Sequence, residues 1–187
     1  IFTPRVSWEL ALSDYFSSDL ETGIQMKAVE KETDGNMTYN DQLRIPYFSF
    51  DITKIDPWGQ TTFSPKVNFS TSSFLGASHR RHPTASRAGT GGLFYTYEQT
   101  LRRTQKMLFG SYMLVRSNAQ IASRALPSSE QFQLGGSSSV RGYPEGDYIA
   151  DTGCNLSSDW VFPMYLAPKS WKLPRDTMPL RNRIEPV

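Results

Sequence analysis

The sequence is poor in the residues that carry most protein chemistry: of 187 residues, one is cysteine (Cys154) and two are histidine. A single thiol excludes an intrachain disulfide framework and a cysteine-based zinc site. His79 and His82 share one short stretch with no Asp, Glu or Cys beside them, so general bases and metal ligands are scarce. No Gly-x-Ser-x-Gly elbow, P-loop or Gly-x-Gly-x-x-Gly stretch occurs. Charge of one sign is lacking too: 20 Lys and Arg against 18 Asp and Glu leave +2, too little for a nucleic-acid footprint. No run of 18 apolar residues could form a transmembrane helix. The opening Ile1-Phe2-Thr3-Pro4-Arg5 lacks the basic head and apolar stretch of a signal peptide, which suggests a processed chain or a piece of a longer one. An enzyme, a bound cofactor, a small-molecule substrate and a nucleic-acid partner are therefore not expected.

What is present is alternation at a period of two, the signature of strands with one polar and one apolar face. Val6, Trp8, Leu10 and Leu12 fall on one side of a first run, with Arg5, Ser7, Glu9, Ala11 and Ser13 opposite. Thr22, Ile24, Met26 and Ala28 then oppose Gly23, Gln25 and Lys27. Phe48, Phe50 and Ile52 alternate with Tyr47, Ser49, Asp51 and Thr53, and Phe63, Val67 and Phe69 with Ser64, Lys66, Asn68 and Ser70. Residues 92–105 and 107–122 continue the pattern less cleanly. A last run sets Leu156, Trp160 and Phe162 against Asn155, Ser157 and Asp159. The pattern predicts about seven strands of roughly 10–14 residues, long for a soluble domain and suited to a tilted membrane-spanning strand.

The connections alternate in length. Tight turns are expected at Phe16-Ser17-Ser18-Asp19, at Asp56-Pro57-Trp58-Gly59 and around Arg103 to Lys106. Between them stand a polar loop from Thr33 to Gln42, a long one from Leu75 to Gly91 and the longest at 123–153. Short turns on one side and long loops on the other are what an outer-membrane barrel shows. A soluble β-sandwich binding module also alternates, and at this point stays open. Seven antiparallel strands cannot close a bacterial barrel of even strand number, so the barrel reading makes residues 1–187 a partial outer-membrane β-barrel domain, part of a larger protein.

The longest loop contains Leu134-Gly135-Gly136, then Ser139-Val140-Arg141-Gly142-Tyr143, Glu145-Gly146 and Asp151-Thr152-Gly153. This stretch resembles the conserved loop motif of the Omp85 superfamily of outer-membrane protein transporters, nearest the two-partner-secretion branch of hemolysin-activator type. Phe162-Pro163-Met164-Tyr165 through Pro168-Lys169-Ser170-Trp171-Lys172-Leu173-Pro174 is also similar to that branch. The resemblance implies an all-β, antiparallel transmembrane barrel, about sixteen strands when whole, in a bacterial or organelle outer membrane. Its partners would be outer-membrane lipid and a large secreted protein of hemolysin or adhesin type, exported through the pore without nucleotide hydrolysis. The implied site is the lumen-loop motif Gly135, Gly136, Val140, Arg141, Gly142, Tyr143, Glu145 and Gly146. There the loop folds back into the lumen, Arg141 docks on an Asp of a later strand, and Tyr143 packs beside it. The chain ends at Arg183-Ile184-Glu185-Pro186-Val187, where that later strand should begin, so the Asp is expected to lie outside this sequence. Barrel-assembly or surface-antigen proteins share the Val-Arg-Gly-Tyr core and offer a second reading: insertion of other barrels.

The motif makes sense residue by residue. Glycines allow backbone conformations and close approaches that side chains block, and Arg141 offers a rigid fork suited to a carboxylate. Glu9, Asp51, Glu98 and Asp159 fall on polar strand faces with Lys27, Lys66 and Arg116, as a wet lumen requires. The cluster His79-Arg80-Arg81-His82 with Arg87 is read as a solvated loop. The sequons at Asn36, Asn68 and Asn155 are read as chance.

Overall fold

The computed structural model describes residues 1–33, 36–72, 74–78, 85–87, 89–90, 92–136 and 139–162. Nine strands form among them: β1 (Arg5–Ser13), β2 (Phe16–Thr33), β3 (Asn36–Asp56), β4 (Gly59–Phe69), β5 (Tyr95–Lys106), β6 (Tyr112–Ala122), β7 (Phe132–Leu134), β8 (Tyr148–Ala150) and β9 (Gly153–Val161). Seven make one sheet in the order β1-β2-β3-β4-β5-β6-β9, every neighbouring pair antiparallel. β7 and β8 pair with each other inside the connection from β6 to β9.

The register turns the sequence alternation into two faces. One row across the sheet reads Thr22, Phe48, Val67, Tyr97 and Ile121. The adjacent row, on the other face, reads Glu21, Ser49, Lys66, Glu98, Gln120 and Gly153. The first face is apolar and uncovered: Phe48 is 52% exposed, Leu156 74% and Trp160 57%. Apolar patches of this extent are out of place in water, and the face has the character of a lipid-facing wall. A sandwich would cover that face with a second sheet, whereas the second sheet among the described residues, the short β7–β8 pair, belongs to a connection on the opposite, polar face; the arrangement is not that of a sandwich.

Two details of the strands differ from expectation for local reasons. A register shift between Glu9 and Ala11 leaves Leu10 as an extra residue. Beyond it Ala11 opposes Ser18 on the outer row and Leu12 opposes Ser17 on the inner one, so Leu12 does not share a face with Val6 and Trp8. Asn36 to Gln42, expected within a polar loop, are strand. β2 and β3 stay paired out to Thr33 and Asn36, well past the last rung that β3 shares with β4 at Tyr47 and Asn68.

That extension reaches past the rungs of the neighbouring strands and is held by protein contacts. Leu43 and Ile45 on its inner row pack with Phe94 and Leu126, against which Ala122 also lies. Leu126 is completely buried. Backbone bonds join the same parts: Thr71 N–H to Arg44 O at 3.1 Å, Ser78 N–H to Gln42 O at 2.8 Å and Ser70 N–H to Phe94 O at 2.8 Å.

The tight turns gather at the opposite end. The first is at Asp14 and Tyr15, not Phe16 to Asp19, with the Ser13 hydroxyl accepting from Phe16 N–H at 3.1 Å. The second is at Asp56 to Gly59, as expected, where Asp56 Oδ1 accepts from Trp58 N–H at 2.9 Å. The third runs from Met107 to Ser111 rather than Arg103 to Lys106, since β5 pairs through Lys106. Phe94→Ala in the full-length protein should cost the extension about 3–5 kcal/mol, the usual range for emptying a buried aromatic site. Protease accessibility of the β2–β3 extension should rise while heat-modifiable mobility of the barrel persists; unchanged accessibility would mean that the apolar cluster does not hold it.

Candidate functional site

The connection between β6 and β9 does not stand away from the sheet. It lies on the polar inner face, held at both ends and at its tip. Lys27 of β2 reaches Glu130 with Nζ–Oε1 at 2.9 Å and Nζ–Oε2 at 3.1 Å. β2 and β6 are four strands apart in the sheet, so this pair can form only if the sheet curls and the connection crosses its concave side. Gln120 Nε2, on the inner row of β6, donates to Glu130 O at 2.9 Å and Asp151 O at 3.2 Å.

Asp151 ties this connection to the one between β4 and β5. Its Oδ1 accepts from Arg87 Nη1 at 2.6 Å, Leu126 N–H at 3.1 Å and Gln131 Nε2 at 3.0 Å. Thr152 Oγ1 accepts from Ala122 N–H at 3.1 Å. A Cβ on Gly153 would lie 2.5 Å from Phe132 Cδ1, so the third residue of Asp-Thr-Gly lets β7 sit against β9. Partial burial acts to raise the Asp151 pKa. The bond from Arg87, the Leu126 N–H, the Arg87 charge and Gln131 together outweigh it, and the pKa is lowered.

Between β7 and β8 the motif folds into a compact tip. Gly135 N–H donates to Ser139 Oγ at 2.8 Å and the Ser139 hydroxyl donates back to Gly135 O at 2.6 Å. Gly136 N–H donates to Tyr143 O at 2.9 Å. Gly135 has φ +121°, and a Cβ there would stand 2.0 Å from Pro144 O. The chain returns so closely that no side chain fits. Glu145 lies over Gly136 and Gly146 near Gln133, so the Glu-Gly pair packs back on the Gly-Gly pair. Val140 to Tyr143 is a turn closed by Tyr143 N–H to Val140 O at 3.4 Å, with Gly142 at φ +95° as its third residue.

That turn throws Arg141 onto the wall. Its Nη1 lies 3.3 Å from Asp159 Oδ1 and its Nη2 3.4 Å from Oδ2. Asp159 also pairs with Arg116 of β6. Asp159 is six residues along β9 from Gly153, so the tip reaches roughly 20 Å down the inner face from the loop end. Within these residues Arg141 meets a carboxylate of β9 that already stands on the polar face, Asp159; the Asp of a later strand implied by the resemblance belongs to chain beyond residue 187. Tyr143 makes its ring contact with Tyr148 of β8, centroids 6.2 Å apart, rather than with the Arg141 side chain. Val140 joins Arg116, Arg141, Ser157 and Asp159 around a cavity of about 320 Å³.

All eight motif residues thus fall in one hairpin, and among the described residues Arg141 is the one whose charge meets the wall. Glu9, Asp51, Glu98, Lys27, Lys66 and Arg116 lie on the same inner face as Asp159. Sequence reasoning missed Lys27–Glu130 and Arg87–Asp151, pairs separated by 103 and 64 residues, which no local pattern announces. The stretches His79 to His82 and Pro163 to Pro174 lie outside the described residues.

A family model described as "Haemolysin secretion/activation protein ShlB/FhaC/HecB" matches residues 16–174. Among solved structures, CdiB from Escherichia coli superposes with a TM-score of 0.73 at 20% identity, covering 89% of this chain and 31% of that one. The two share a fold, and this chain spans about a third of the CdiB length. No curated protein matches.

The lowered Asp151 pKa fixes the sign of a pH response. Its clip contributes fully above the ordinary carboxylate range near 4 and is lost as pH falls through the lower folded value. Amide exchange at Leu126 should accelerate on acidification below about pH 4, and Asp151→Asn should remove that acid limb by loosening the clip at neutral pH; an unchanged profile in the variant would contradict the assignment.

Proposed function

The chain belongs to the haemolysin secretion/activation protein family ShlB/FhaC/HecB, whose members are outer-membrane β-barrel proteins, and we propose that it supplies part of the barrel wall and the lumen loop of a two-partner-secretion transporter. The cargo is a secreted protein, of hemolysin or adhesin type, which crosses the lumen as an extended chain and is drawn outward by its own folding outside. Lipid covers the row of Phe48, Val67, Tyr97 and Ile121.

One observation carries this reading: a loop that starts and ends on the long-loop side carries its Arg141 deep onto the inner wall at Asp159. A loop in that position fills space that cargo needs. It must therefore shift for export, and the strength of its attachments decides how readily it does so. The Arg141–Asp159 pair suits a releasable contact. Arg141 remains 70% exposed and its bonds are long, which puts the pair in the class of exposed ion pairs worth about 0.2–1 kcal/mol. The Lys27–Glu130 and Arg87–Asp151 pairs near the loop base are shorter and less exposed. The base is anchored and the tip is the moving part.

Arg141→Ala in the full-length protein should lower secretion of the cognate partner several-fold more than it lowers the amount of heat-modifiable barrel in the outer membrane. Equal loss of both would leave the residue a structural role only.

A further inference from the structure

Asp159 serves two arginines, and they hold it differently. Arg116 projects from β6, whose ladder with β9 sets Arg116 opposite Ser157 and Leu114 opposite Asp159. It is part of the wall and pairs with Oδ2. Arg141 comes from the loop tip and reaches both carboxylate oxygens at 3.3–3.4 Å, sharing Oδ2 with Arg116. The side chains are 42% exposed for Arg116, 28% for Asp159 and 70% for Arg141. Arg116 Nε is buried without a hydrogen-bond partner, so among the described residues the guanidinium spends its terminal nitrogen on Asp159.

We propose that Arg116 is a positioning residue that keeps the Arg141 contact weak and reversible. A carboxylate accepts a full two-pronged guanidinium when both oxygens are open to it. Here Arg116 occupies Oδ2 and leaves Arg141 a stretched fit. When the tip departs, Asp159 keeps a counter-charge and is not left uncompensated on a partly buried wall, which is what makes breaking an ion pair costly. Removing Arg116 frees Oδ2, removes the repulsion between two cations, and lets Arg141 close on Asp159. Loss of a wall arginine thus tightens the loop, the opposite of its apparent role as a second support. This inference rests on the releasable loop tip proposed above.

The test is single-channel conductance of the full-length protein in planar bilayers, where opening reports departure of the loop tip. Arg116→Gln should reduce opening frequency about two- to fivefold, the range an exposed pair can supply. Arg116→Lys, which keeps a charge on Oδ2, should stay within about twofold of wild type. In an Arg141→Ala background, Arg116→Gln should have no effect, because the competition it relieves is gone. Should Arg116→Gln fail to accumulate as heat-modifiable barrel, Arg116→Met preserves the apolar stem and is read the same way. Opening raised or unchanged by Arg116→Gln, or an effect that persists without Arg141, would overturn the proposal. Wild-type conductance of Arg141→Ala alone would instead sink the loop-tip reading on which it rests.

Discussion

Backbone hydrogen bonding in hydrocarbon is the constraint from which the rest follows. A chain that crosses a bilayer must satisfy every N–H and C=O within itself, and without long apolar helices only a sheet of neighbouring antiparallel strands does so. Pairing each strand with its sequence neighbour leaves short turns at one end and long connections at the other. It also forces every side chain onto one of two faces. Phe48, Val67, Tyr97 and Ile121 line up outward because the ladder places them opposite one another. Glu21, Ser49, Lys66, Glu98 and Gln120 line up inward for the same reason.

A polar concave face creates the second layer of organisation. Charges on it can be paired by anything that enters, and the connection between β6 and β9 enters. Glu130 meets Lys27, Asp151 meets Arg87, and Arg141 meets Asp159. These three pairs differ in exposure and in length, and that gradient distinguishes an anchored base from a tip attached lightly. The glycines of the motif belong to the same logic. Gly135 lets the hairpin return on itself and Gly142 turns the chain so that Arg141 projects.

Much of this was legible in the residues, and what was not has physical causes. Face assignments for Phe48, Phe50 and Ile52, for Phe63, Val67 and Phe69, and for Leu156 and Trp160 follow from a period of two and hold in the ladder. Leu12 escaped because a bulge inverts the alternation without any Gly or Pro to mark it. The β2–β3 extension read as a loop because Thr33 to Gln42 is polar. Asp34-Gly35, a dipeptide suited to two-residue hairpins, was the available clue. Turn positions were off by a few residues wherever strands run on through polar residues such as Arg103 to Lys106. The loop motif is recognisable, but its contact with Asp159 is not written in any local pattern. The alternation puts Asp159 on the inner face, and only the depth to which the hairpin reaches joins it to Arg141.

The central claim is that the loop tip rests on the inner wall beside Asp159 in the closed transporter. It is tested most directly by cysteines at Val140 and Ser157, the latter on the inner face of β9 and both beside the cavity around Arg141, introduced into the full-length protein with Cys154 replaced by serine. A short bifunctional thiol reagent applied to intact outer membranes should link the pair and block export until the link is cleaved. Efficient labelling of both thiols with no link between them would place the tip elsewhere and contradict the account.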